Sequence, residues 1–201
     1  KTFDDAQKIQ AIVGTNSSTS TGAVMPRMLN SMAGTKFKII RGYDPAEIFL
    51  AMERRELDGL CGYGWGSLKT ARPDFIKNKQ VNMLLQFSDK SHAELDGKVP
   101  VMMDYITNPK DRAMLEIVFG TQEMGRPFVG PPGMPKARLA ALRKAFMDTA
   151  KDPVFLADAK KRRLEIDPIS GEEVETLVKR LYKTEKELAK LVASYRKPAK
   201  I

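Results

Sequence analysis

Ile9-Gln10-Ala11-Ile12-Val13-Gly14-Thr15-Asn16-Ser17-Ser18-Thr19-Ser20-Thr21 runs an apolar stretch into a break at Gly14, then hydroxyl and amide side chains, just before an apolar-periodic segment. That order predicts a strand, an anion-cradling turn and a helix N-terminus. The first N–H groups of a helix have no intrahelical partner, and the aligned peptide dipoles place roughly half a positive charge there. A carboxylate or phosphate at such a turn finds donors and a favourable field, and Ser, Thr and Asn add neutral donors. No nucleophile is paired with a base in this stretch, so the chemistry it offers is holding an anion. The plainer reading of the same residues is a Ser/Thr-rich loop with one N-cap among its hydroxyls.

Working outward, helix spacing of Met25, Met28, Leu29 and Met32 predicts a helix over 23–33, with Gly34 as the residue that closes it. Residues 36–41 read as a strand. Asp44-Pro45-Ala46-Glu47 joins an N-cap carboxylate, Pro at the first helical position and Glu at the third, so a helix opens there with Ile48, Phe49 and Met52 on its buried face. A short strand follows over 57–61, a helix over 66–71 ending before Pro73, and a strand over 81–87. This alternation is the parallel α/β pattern, in which ligand loops gather at the carboxyl ends of strands. The ends that matter are 14–21, 42–45 and 58–67.

The second half changes character. Residues 109–119 read as a helix stopped by Gly120, residues 126–129 as a short strand, and Gly130-Pro131-Pro132-Gly133 as a rigid turn. Beyond it the pattern is helical. Leu139, Leu142, Phe146 and Ala150 line one helix, Asp152-Pro153 caps a second, and Ser170-Gly171-Glu172-Glu173 is a capping box that opens a third. The third carries an apolar stripe from Val174 to Tyr195. One strand and a few helices cannot bury such stripes, so this half reads as part of a lobe whose other strands lie elsewhere.

Composition narrows the function classes. The chain has 201 residues, 42% of them hydrophobic and 29% charged, as in an ordinary globular protein. No apolar run approaches the ~20 residues needed to cross a bilayer. The chain begins at Lys1 rather than Met, the mark of a mature protein or a fragment. Cys61, the single cysteine, rules out an internal disulfide and leaves the compartment open. The formal charge of +9 is uneven: residues 136–201 hold 17 basic and 10 acidic side chains. Basic residues on amphipathic helices, including Lys160-Lys161-Arg162-Arg163, more often coat a solvated face than grip phosphates. Zinc-finger spacing, an RNA-binding aromatic signature and a helix-turn-helix are all missing from the sequence, so nucleic acid is not the expected partner. Nor is there metal-ligand spacing, and no cofactor is expected.

Eight pieces occur in an order that resembles the receptors, or solute-binding proteins, of the tripartite tricarboxylate transporter family of bacterial periplasms. They are the 14–21 loop after a strand, residues 36–40 followed by Gly42-Tyr43, and Leu50-Ala51-Met52-Glu53-Arg54 with Glu56-Leu57-Asp58-Gly59. Then come Gly125-Arg126-Pro127, Pro131-Pro132-Gly133-Met134-Pro135, Leu142-Arg143-Lys144-Ala145-Phe146, Asp152-Pro153-Val154-Phe155 and Ser170-Gly171-Glu172-Glu173. The resemblance covers most of the chain and implies a type II periplasmic binding-protein fold, two α/β lobes closing over a carboxylate with the second inserted into the first. On it, residues 1–121 would be the inserted ligand-binding lobe, complete in itself, and 122–201 the mainly helical C-terminal part of the first lobe. The first lobe's N-terminal segment would precede Lys1. Asp44 departs from the family, where a small residue such as Gly is more usual.

The resemblance implies a periplasmic, non-enzymatic receptor that captures a small organic carboxylate and hands it to membrane permease subunits. Gly14, Thr15, Asn16, Ser17, Ser18, Thr19, Ser20 and Thr21 would form the loop that takes one carboxylate, and Tyr43 would wall the cleft. Asp58 is open to a donor from the ligand, a water or a neighbouring loop, or to capping the turn before Gly59. Trp65, in a glycine-rich run without dinucleotide spacing, is open to the cleft, the core or the surface. If the lobe's sheet is incomplete, the C-terminal helices are expected to self-associate or to dock on the rest of the receptor. Two alternatives stand beside this reading: a Cys-dependent hydrolase built on Cys61 and His92, and an interaction module built on the basic C-terminal helices.

Overall fold

A computed structural model describes residues 1–184 and 186–196 of the chain. The fold is α/β. A short helix, α1 (Phe3–Lys8), leads into β1 (Ala11–Thr15), followed by α2 (Thr21–Met32), β2 (Phe37–Arg41), α3 (Pro45–Glu53) and β3 (Gly59–Leu60). The three strands form a parallel sheet in the order β2-β1-β3. β1 pairs with β2 from Ala11↔Phe37 to Thr15↔Arg41, and with β3 at Val13↔Gly59 and Gly14↔Leu60.

Alternation along the strands sorts the side chains between two layers of helix. Ile12 and Ile40 join the cluster of Ile48, Ala51 and Leu57 on the α3 side, while Phe37 packs with Met25, Met28 and Leu29 of α2 on the other. Asn30 fixes the turn from α2 into β2: its amide donates to the Phe37 carbonyl at 2.8 Å and its Oδ1 accepts the Phe37 N–H at 2.9 Å. Gly34 closes α2 with φ +67°, as its position predicts. Glu47 reaches back to accept the Asp44 N–H at 2.9 Å, so the expected start of α3 forms.

α4 (Trp65–Ala71) and α5 (Pro73–Lys77) follow, then an irregular stretch with a 3-10 turn at Met102–Asp104, then α6 (Pro109–Glu123). The C-terminal helices are α7 (Lys136–Thr149), α8 (Pro153–Lys161), α9 (Gly171–Tyr182) and α10 (Lys186–Tyr195). The main core joins α2, Met102, Ile106, α6 and Val192 of α10, with Met28, Met102 and Leu115 fully enclosed.

Several expectations from the sequence are corrected. Gly14 does not end the first strand: β1 runs through it to Thr15, and a Cβ there would lie 2.4 Å from Leu57 Cδ1 and 3.3 Å from Ile48 Cγ1, so the glycine leaves room for those two side chains. β3 is two residues long instead of five. Asp58 replaces the missing part of the ladder, its Oδ2 accepting the Ile12 N–H at 2.7 Å while its own N–H donates to the Ile12 carbonyl at 2.8 Å. Residues 81–87 are not a strand. Only Gln86 pairs, as a bridge to Val101, and its buried side chain staples the surrounding loop by donating to the Val99 carbonyl and accepting the His92 N–H.

Gly120 does not stop α6, which continues to Glu123; the glycine instead admits Leu177 and Leu181 of α9, each within about 3.2 Å of where a Cβ would sit. Residues 126–129 form no strand and expose Phe128 and Val129. The single third helix is two helices. α10 lays Leu188, Leu191, Val192 and Tyr195 on the α2/α6 core, so its stripe finds cover within the chain. α7 has no buried residue and leaves Leu142 and Phe146 exposed.

Candidate functional site

The carboxyl ends of β1 and β2 lie side by side, and the loops that leave them enclose a shallow depression lined by Asn16, Ser17, Ser18, Ile39, Ile40, Arg41 and Gly42. The chain turns sharply around the Thr15 carbonyl, which accepts N–H groups from Gly42 at 3.0 Å and Tyr43 at 3.3 Å. Gly42 makes that turn at φ +104°, a conformation closed to other residues without strain.

Hydroxyls brace the loop from within. The Ser20 hydroxyl donates to the Ser17 carbonyl at 3.0 Å and shares a 2.6 Å hydrogen bond with the buried Thr15 hydroxyl; the Ser20 N–H donates to Ser17 Oγ at 3.2 Å. Ser20 is the N-cap of α2 by backbone, yet its side chain makes no cap bond because it is spent on the loop. The N–H groups of Asn16, Ser17, Ser18, Thr19, Thr21 and Gly22 find no hydrogen-bond acceptor among the described residues.

Two of these N–H groups are aimed by their own peptide planes. In a trans peptide the carbonyl and the next N–H point in opposite directions. The Ser17 carbonyl is held inward by Ser20, and the Ser18 carbonyl is held by Arg27 Nη1 at 2.7 Å. The N–H groups of Ser18 and Thr19 therefore point away from those anchors. Such a pair of outward backbone donors at a helix start is an anion-holding geometry.

Two arginines, Arg27 and Arg41, stand at this end of the sheet. Strand alternation puts Arg41 on the α2 face together with Phe37, and burial and then the field of Arg41 push the Arg27 guanidinium below its ordinary value. Neither arginine was expected from the sequence. The signal for Arg41 was available: it closes β2, so it stands at a carboxyl strand end beside the loop.

Of the predicted site residues, Asn16, Ser17 and Ser18 line the depression and Thr15 and Ser20 brace the loop, while Thr19 and Thr21 belong to the same loop but not to the lining. Gly14 leaves room for the Leu57 and Ile48 side chains. Tyr43 does not line the depression; its side chain packs on the Ile48, Ala51 and Leu57 cluster. Asp58 opens β3 opposite Ile12, three residues before the end of β1, so it lies roughly 10 Å from the loop end and its carboxylate is bound to the Ile12 N–H. Trp65 is at the surface of α4, where its Nε1 donates to Glu94 at 2.8 Å and Lys69 sits over its ring.

The carboxyl end of β3 closes onto α2. A Cβ on Gly62 would stand 2.6 Å from Thr21 Cγ2, and one on Gly22 would stand 3.2 Å from the Cys61 carbonyl. Burial pushes the Cys61 thiol up to about 12, which keeps it protonated at neutral pH. His92 engages other groups: Nε2 meets Glu165 at 3.0 Å and Nδ1 accepts the Glu94 N–H at 3.2 Å. Cys61 is therefore expected to react slowly with iodoacetamide in the folded chain, and Cys61→Ser to leave anion binding intact. Fast alkylation that falls on replacing His92 would favour thiol chemistry instead.

Among the described residues there is no group of three or more His, Cys, Asp or Glu placed to hold a metal, and no helix long and apolar enough to cross a membrane. Compared with protein-family models and with curated proteins, the chain matches none.

Proposed function

We propose that this chain is the ligand-binding part of a solute receptor, and that the 15–21 loop holds one carboxylate of a small organic acid. The observation that carries the reading is the loop itself: outward N–H groups of Ser18 and Thr19, fixed by anchored carbonyls, beside Arg41 at the carboxyl ends of two parallel strands. Charge-assisted hydrogen bonds to a carboxylate are about twice as strong as neutral ones, and a helix start adds its dipole. The Ser17 and Ser18 hydroxyls have no histidine, lysine or carboxylate beside them in the lining to activate them, which favours binding over catalysis as the reading of this depression.

The finer parts of the proposal rest on the family resemblance: a type II periplasmic binding-protein fold, a periplasmic location, and delivery of the carboxylate to membrane permease subunits. The α/β sandwich with its loops at the carboxyl strand ends supports that reading and is shared by many other binding domains.

The test is replacement of Ser17, Ser18 and Thr19 together by alanine. The N–H groups survive the change, but the hydroxyl donors and the Ser17 brace to the Ser20 N–H are lost. Carboxylate binding measured by calorimetry weakens by about 1–3 kcal/mol, the scale of lost polar contacts to a charged group. Unchanged affinity would remove the hydroxyls of Ser17, Ser18 and Thr19 from the site, and loop amide resonances that also ignore the carboxylate would remove the loop.

A further inference from the structure

Arg27, in the second turn of α2, donates from one nitrogen to two distant carbonyls: Nη1 lies 2.7 Å from Ser18 O and 2.9 Å from Tyr195 O. Ser18 belongs to the loop; Tyr195 is the last residue of α10. A helix C-terminus carries partial negative charge on its unpaired carbonyls and favours a cation there. The Tyr195 hydroxyl fastens the same helix end again by donating to Ser31 Oγ at 2.9 Å, one turn further along α2. Val192, three residues before Tyr195, is buried in the core that α2 and α6 share.

One guanidinium thus sees both the docked end of α10 and the peptide plane between Ser18 and Thr19. If α10 shifts, Arg27 loses its second acceptor and is free to leave the first. If the Ser18–Thr19 peptide turns over, the Ser18 carbonyl leaves Arg27 and the Thr19 N–H no longer faces outward. We propose that Arg27 is a positioning residue that couples the anion loop to the docking of α10. The proposal rests on the reading of that loop as the anion site. Coupling free energies are reciprocal, so an anion that prefers the pinned loop tightens α10, and a loosened α10 weakens anion binding.

The experiment uses the full chain, succinate as the probe, and three variants: Arg27→Ala, Arg27→Lys and Tyr195→Phe. In the absence of succinate, Tyr195→Phe shifts the backbone amide resonance of Thr19, although it touches no atom of the loop. Succinate slows amide hydrogen exchange in α10 of the wild-type chain. Arg27→Ala weakens succinate binding roughly tenfold and abolishes the slowing, while Arg27→Lys, whose ammonium can donate to both carbonyls, recovers most of each. Wild-type affinity in Arg27→Ala, or a Thr19 resonance that ignores Tyr195→Phe, overturns the coupling. Failure of the underlying reading looks different: the wild-type chain does not bind succinate, yet Tyr195→Phe still moves Thr19, and then the loop–helix coupling stands without its anion.

Discussion

Leu115→Ala lowers the unfolding free energy by about 2–5 kcal/mol, the range for deleting a fully enclosed leucine from a core that cannot collapse around the gap. Leu115 has no exposed surface and sits in α6 among Met25, Met28 and Leu29 of α2, Phe119 of its own helix and Val192 of α10. A domain of this size is stable by only about 5–15 kcal/mol, so a loss on that scale moves the urea midpoint far. Because α10 rests on the same core, its loss of structure follows the same transition. A change below about 1 kcal/mol would mean that α6 is not packed as described.

Arg41→Glu weakens succinate binding by roughly 30-fold, as one attraction is removed and one repulsion of similar, water-screened size is added. Arg41 is exposed at the end of β2, so the effect shrinks as salt is raised. Arg41→Gln loses only the attraction and falls between the two. The measurement is calorimetry of wild type and both variants at low and high salt. Equal affinities in all three would separate Arg41 from the site and leave the anion to the loop alone.

Local signals were legible where one residue acts through its own backbone. Asp44-Pro45-Ala46-Glu47, Asp152-Pro153 and Ser170-Gly171-Glu172-Glu173 open helices where their chemistry predicts, with Asp152 accepting the Phe155 N–H and Ser170 the Glu173 N–H. The parallel pairing of 11–15 with 37–41 was readable from the two apolar runs and the helix between them. What the pattern missed was decided by distant contacts. Gly14 and Gly120 read as breaks because glycine is a local breaker, yet each sits inside its element to admit Leu57 or Leu177 and Leu181. Residues 81–87 have strand composition but pair only through the Gln86–Val101 bridge, and a single buried glutamine organises them instead.

The site was legible in the same uneven way. The Ser/Thr cluster at the strand-to-helix turn was visible in the sequence, but the use of Thr15, Ser17 and Ser20 to brace the loop from within was not. Tyr43 and Asp58 were placed by resemblance; here one packs on α3 and the other caps the far end of the β3 ladder. Arg27 escaped notice because its two acceptors are the carbonyls of Ser18 and Tyr195, and no sequence pattern marks a carbonyl 168 residues away.

The most direct measurement of the central claim is a titration of the wild-type chain with succinate, followed by the backbone amide resonances of the whole molecule. Saturable shifts are expected that are largest at Ser18 and Thr19, extend to Asn16, Ser17, Thr21, Gly22 and Gly42, and need roughly 30-fold more succinate in Arg41→Glu. Saturable shifts centred elsewhere, for example at Trp65 and Glu94, or no saturable response from the loop to any mono-, di- or tricarboxylate, would contradict it.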